Sequence, residues 1–101
     1  MAGFDPRVKS PQVDRLFEAI LSLESMEDCY RFFSDLSTIG EIQAMAQRFQ
    51  VAELLNEGKT YEEIVNETGI STATISRIKR YLNWGADGYK LAIERLQQEE
   101  G

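Results

Sequence analysis

Apolar residues recur along this chain at the three- and four-residue steps of a helix, in six successive blocks. The first block is Val13, Leu16, Phe17, Ile20 and Leu21, with Ser10 placed to cap and Pro11 in the first turn. It predicts a helix over 11–23. The second, Met26, Cys29, Tyr30, Phe33 and Leu36, follows a capping Ser25 with Asp28 in the first turn and predicts a helix over 26–36. Thr38 and Glu41 then match a capping box. Behind them Ile42, Met45, Ala46, Phe49, Val51, Leu54 and Leu55 predict the longest helix, over 39–56, ending near Gly58. Its apolar face is wide, so contact from more than one side is expected.

The next two blocks are short and differ in character. Thr60 and Glu63 form a second capping box ahead of Tyr61, Ile64 and Val65. Gly69 ends that helix, because the chain must turn through positive φ, which costs other residues about 1 kcal/mol or more. Ser71 caps a following helix whose inner face is Ile75, Ile78 and Leu82. Relative to Gly69, apolar residues fall at −5 (Ile64), +1 (Ile70), +6 (Ile75) and +9 (Ile78). Two helices crossing steeply about a tight turn require that set, so residues 60–83 read as a helix-turn-helix. Asn83 and Gly85 should end the second helix and Asp87 cap a last one over 88–98, with Tyr89, Ala92, Ile93 and Leu96 on one side. Residues 1–10 read as a flexible leader, 11–101 as a single domain, and 99–101 as a frayed end.

The outward face of the second short helix supplies the candidate chemistry. Ser71, Thr72, Ala73 and Ser76 are small or hydroxylated and permit close approach to base edges and phosphates. The helix N-terminus itself favours a phosphate nearby. Arg77 suits a guanine edge or a phosphate, while Lys79 and Arg80 suit phosphates. An ordinary hairpin with a solvated basic face is the competing reading, and the combined glycine, spacing and charge favour double-stranded DNA.

Charge changes this picture only in part. The net charge is −6, but the carboxylates of the middle stretch, Glu62, Glu63 and Glu67, all precede Gly69, and its arginines and Lys79 all follow it. Binding responds to the local field facing the phosphates; the distant acidic surface should weaken non-specific binding. No apolar run is long enough to span a membrane, and the start MAGFDPRVKSP lacks a signal-peptide core, so a cytoplasmic protein is expected. With no His and a single Cys29, neither a Cys/His metal site nor His-based catalysis is expected. No glycine-rich phosphate loop or ordered carboxylate pair suggests an enzyme, and no cofactor is expected. Cys29 reads as a small buried hydrophobe, and Trp84 as packed in the core or a dimer rather than facing DNA. Phe17, Tyr30, Phe32 and Phe33 lie within seventeen positions. So much apolar surface on the first two helices is more economically buried against a second copy than within one chain, and a homodimer is expected.

The segments GEIQAMAQRFQVAELLNEGKTYEEIVNETGISTATISRIKRYLN and WGADGYKLAIERL resemble the Trp-repressor superfamily, and are closer to its YerC/YecD-like branch than to Trp repressor itself. The likeness covers nearly the whole chain. It implies an all-α fold of six helices, an intertwined homodimer, and operator binding by a bacterial transcriptional regulator. In Trp repressor two arginines sandwich the corepressor indole and a threonine adds to the pocket. The resemblance carries these roles to Arg48, Arg77 and Thr74. It also marks a departure: Ile78 stands where Trp repressor has a glycine that leaves room for the indole, and Tyr81 stands where a serine helps hold the amino group. Ile78 should add about 1–3 kcal/mol of burial and exclude an indole. The pocket residues Arg48, Thr74, Arg77 and Ile78 then read as vestigial, L-tryptophan is not expected as an effector, and Arg48 is expected to pair with an acidic neighbour or a phosphate.

Overall fold

The computed structural model describes residues 3–100. The described residues form six α-helices and no strand: α1 (Pro11–Leu21), α2 (Met26–Leu36), α3 (Ile39–Asn56), α4 (Tyr61–Thr68), α5 (Thr72–Trp84) and α6 (Gly88–Glu100). A 3-10 turn at Pro6–Val8 precedes them, within the expected leader. Asp5 accepts from the Arg7 backbone N–H at 2.9 Å, and its carboxylate pairs with the guanidinium at 2.7 Å. Met1, Ala2 and Gly101 lie outside the described residues.

The helix starts follow the predicted caps. Ser10 Oγ accepts from Val13 N at 3.1 Å, and Ser25 Oγ from Asp28 N at 3.0 Å. Both capping boxes are closed. Glu41 N donates to Thr38 Oγ1 at 3.1 Å while Thr38 N donates to Glu41 Oε1 at 2.8 Å; Thr60 and Glu63 make the same pair of bonds at 3.1 and 2.9 Å. Accepting a backbone N–H favours the ionised carboxylate, so Glu41 and Glu63 both titrate below the ordinary range.

The helix ends differ more from expectation. α1 stops at Leu21, two residues early, where Ser22 turns its hydroxyl back onto the Ala19 carbonyl at 2.6 Å. α5 passes through Asn83 to Trp84 and stops at Gly85, whose N–H donates to Tyr81 O at 2.9 Å. A Cβ on Gly85 would collide with that same carbonyl, so this stop requires glycine. Asp87 takes a left-handed φ of 64° and its backbone carbonyl accepts from Leu91 N at 2.9 Å. It enters α6 through its backbone, without the extended cap geometry expected of it. α6 continues to Glu100, past the expected fraying point.

The chain divides into two compact units, one from Phe4 to Ala44 and the other from Met45 onward, with α3 spanning the boundary. The core lies in the second unit. Val51, Ala52 and Leu54 of α3, Ile64 of α4, Ile75, Ile78 and Leu82 of α5 and Ile93 of α6 form one buried cluster. Phe49, Leu55, Tyr61, Val65, Ile70 and Tyr89 pack around it. The wide face expected of α3 is therefore buried over its last turns.

The unit from Phe4 to Ala44 contains no fully buried side chain. Phe17, Leu21, Met26, Tyr30 and Leu36 are all at least half exposed. Cys29 is exposed as well, which corrects the expectation that it would be buried. The residue type suited burial, but Met26 and Tyr30 of α2 are exposed along with it. Cys29 instead lines an open apolar groove of about 240 Å3 with Met26, Tyr30, Phe33 and Ile42.

Candidate nucleic-acid interface

The turn between α4 and α5 is built from three residues with distinct tasks. Gly69 adopts φ 73° and its N–H donates to Val65 O at 2.8 Å, closing α4 with a left-handed residue. Thr68 Oγ1 donates to the Ile64 carbonyl at 2.7 Å and accepts from Ile70 N at 3.2 Å. It thereby ties the last turn of α4 to the first residue beyond Gly69. Ile70 is half-buried against the core, as its place after the glycine predicts. Thr68 was not singled out in the sequence, because a threonine at a helix end has many possible partners.

Ser71 caps α5, accepting from Thr74 N at 3.3 Å. Its hydroxyl also donates to Thr74 Oγ1 at 3.1 Å. Ser71 is thus largely committed to holding the start of the helix. Ile75 and Ile78 lie on the inner face, with relative exposures of 0% and 3%. Their burial fixes the opposite face outward. Thr72, Ala73, Ser76, Arg77, Lys79 and Arg80 are all exposed, together with Ser71 itself. All seven residues proposed for DNA contact therefore share the accessible side of one helix.

The charge on that side stands free of carboxylates. The ion pairs among the described residues are Arg7–Asp5, Lys9–Asp14 and Arg15–Glu18. None involves α5, so Arg77, Lys79 and Arg80 pair with no carboxylate among the described residues. Tyr61, at the first position of α4, reaches across the turn. Its hydroxyl accepts from Ser76 Oγ at 3.3 Å, and its ring lies 5.6 Å beneath Lys79 Nζ. Sequence reasoning placed Tyr61 on the inner face of α4 and missed these contacts. They span 15 and 18 positions across two crossed helices, a relation that periodicity within one helix does not encode.

Among the described residues no group of three or more His, Cys, Asp or Glu side chains is placed to hold a metal ion. No helix among them is long and apolar enough to cross a membrane. Trp84 is 84% exposed, so it is not packed in the core of this chain.

The Trp repressor protein family model matches residues 11–97. The chain belongs to the Trp repressor family. It is similar to the uncharacterised protein YerC of Bacillus subtilis, 54% identical over 94 residues that cover 93% of this chain and 90% of that protein. Two solved structures share the fold. A Staphylococcus aureus protein described as a candidate Trp repressor is 49% identical, with a TM-score of 0.85 over 90% of this chain and 91% of its own. A TrpR-like protein of Eubacterium eligens is also 49% identical, with a TM-score of 0.88 over 92% and 96%.

Within this family member, the residues matched to the corepressor pocket are placed unevenly. Ile78 is buried in the core cluster, Thr74 is half-buried and bonded to Ser71, and Arg48 and Arg77 are exposed. Arg48 has no acidic partner among the ion pairs of the described residues, so the expected pairing with an acidic neighbour is not found there. An open groove of about 410 Å3 lies near the end of α5, but it is lined by Phe49, Tyr81, Tyr89 and Ala92 rather than by Arg48, Thr74 or Arg77.

Proposed function

We propose that this chain is a sequence-specific DNA-binding transcriptional regulator, in its simplest form a repressor, acting as a homodimer in the bacterial cytoplasm and without tryptophan. The observation that carries the reading is the outward face of α5. A small, hydroxylated first turn leads into three cations free of contact with carboxylates, on a helix anchored by Ile75 and Ile78. Such a face lets a helix enter the major groove, with Arg77 at a base edge and Lys79 and Arg80 on phosphates. The exposed apolar faces of α1 and α2 support pairing with a second copy. Burial of Ile78 supports independence from tryptophan, since by the resemblance to Trp repressor this position would be a glycine that leaves room for the indole.

The deciding experiment is selection of bound duplexes from a random pool. A palindrome should emerge, and its half-site spacing would report the dimer. Arg77→Ala should relax preference at one position in each half-site, costing about 1–3 kcal/mol there, while Lys79→Ala should weaken all sequences about equally. Unchanged binding by Arg77→Ala would remove α5 from the interface. The net charge of −6 favours a second reading, a protein-interaction module of the transcription machinery that uses the same surface. Binding that falls steeply with salt supports DNA; no binding to any duplex at low salt supports the module.

A further inference from the structure

We propose that Tyr61 is a positioning residue of the DNA-facing surface: from α4 it sets where the Ser76 hydroxyl and the Lys79 ammonium of α5 stand when a duplex arrives. The proposal rests on the reading of α5 as the helix that meets DNA. Ser76 and Lys79 are three positions apart and so lie one turn apart on the same side of α5. Both are exposed, whereas Tyr61 is half-buried and packed on the core. A side chain anchored on one helix therefore holds two exposed side chains on the other. Lysine is among the residues with most rotamer freedom to lose on binding, so restraint before binding favours the complex.

The chemistry of the restraint matters as much as its position. A carboxylate holding Lys79 would compete with a phosphate for the same ammonium. An aromatic face holds it by the ring quadrupole and leaves its charge and its outer N–H donors available. The groove beside it, about 310 Å3, is also lined by Lys59, Thr60 and Asn83, so a second cation faces the same space. Ser76 is restrained differently. Its hydroxyl lies 3.3 Å from that of Tyr61, and as donor in that contact it keeps lone pairs for an incoming group. With its proton turned to Tyr61, the hydroxyl would accept from the amino group of adenine or cytosine. Tyr61 thus governs two separable contacts: a base contact through its hydroxyl and a phosphate contact through its ring.

Two substitutions separate them. Tyr61→Phe removes the hydrogen bond and keeps the ring; Tyr61→Leu removes both. Dissociation constants would be measured on the selected palindrome and on an unrelated duplex, over a salt series, alone and combined with Ser76→Ala or Lys79→Ala. Tyr61→Phe should weaken the palindrome about two- to tenfold, leave the unrelated duplex and the salt slope unchanged, and cost nothing further when Ser76→Ala is added. Tyr61→Leu should weaken both duplexes, and Lys79→Ala should cost less on that background than on wild type. Melting temperatures identify the folded fraction, and if Tyr61→Leu fails to fold, Tyr61→Phe carries the test. Wild-type affinity in Tyr61→Phe, losses that add to that of Ser76→Ala, or losses that merely follow the folded fraction would overturn the proposal while α5 still binds DNA. A wild-type chain that binds no duplex would overturn the reading of α5 itself, and this proposal with it.

Discussion

The two compact units of the chain are made of the same kind of helix but finish their cores differently. From Met45 onward, eight apolar side chains contributed by four helices close into a buried cluster. From Phe4 to Ala44, two helices with strong apolar faces and several aromatics bury nothing completely. The contrast shows that an apolar periodicity specifies which face of a helix wants cover, and not where the cover comes from. In the first case it comes from neighbours in the chain. In the second, the homodimer proposed above would supply it.

Truncation in each unit should expose that difference most strongly. Ile75 is fully buried, so Ile75→Ala should cost about 2–5 kcal/mol in denaturant unfolding. Leu21 is 84% exposed, and Leu21→Ala should leave the stability of a single chain within about 0.5 kcal/mol of wild type. Its effect should appear instead as a weaker dimer in sedimentation at falling concentration. Equal stability losses at low concentration would show that the first unit is already covered within one chain.

A smaller effect is expected at the turn. A Cβ at Gly69 would meet no atom within 4 Å, so Gly69→Ala meets no steric obstacle. What remains is the φ of 73°, and the loss should be about 1–2 kcal/mol by thermal or denaturant unfolding. Gly69→Asn should recover part of it, because asparagine tolerates that region better. A neutral Gly69→Ala would mean that the left-handed turn is not maintained in solution.

The paired capping boxes place one chemistry in both units. Glu41 and Glu63 are held below the ordinary carboxylate range, first by the backbone N–H of Thr38 and of Thr60. For a depressed carboxylate the unfolded state binds more protons as pH falls, so the stabilisation is present above the unfolded value of about 4.5 and is lost through the lower folded value. Glu63→Gln should therefore flatten the fall in melting temperature below about pH 4.5, since α4 belongs to the closed core. Glu41→Gln should act mainly on local protection of the first amides of α3, read by hydrogen exchange. A melting temperature equally sensitive to both would join the two units into one cooperative structure.

Much of this architecture was legible in the chain because its signals are local. Ser10, Ser25, Thr38, Thr60 and Ser71 mark five helix starts through bonds made within three residues, and Gly69 marks the turn through its own φ. The inward face of α5 followed from spacing alone. What was not legible depends on relations across elements. Cys29 and Trp84 have residue types suited to burial, yet both are exposed in the chain. The contacts of Tyr61 depend on how steeply α4 and α5 cross, and that angle is written in no single helix.

The smallest expected effect is none at all, and it tests the closed side of the comparison. A corepressor acts on a fold by occupying space that its core leaves open. Here Ile78, with 3% of its surface exposed, lies among Val51, Ile64, Ile75 and Leu82 in the buried cluster. A ligand that binds the folded state raises its stability by about 2.7 kcal/mol at a hundred times its dissociation constant. If Ile78 excludes the indole, L-tryptophan at millimolar concentration should leave the melting temperature of the wild-type chain unchanged. The same null result with Ile78→Gly would be uninformative if the variant unfolds, so the wild-type titration carries the test. A concentration-dependent rise would mean that Arg48, Thr74 and Arg77 form a pocket despite the isoleucine, and the core from Met45 onward would no longer count as complete without a ligand.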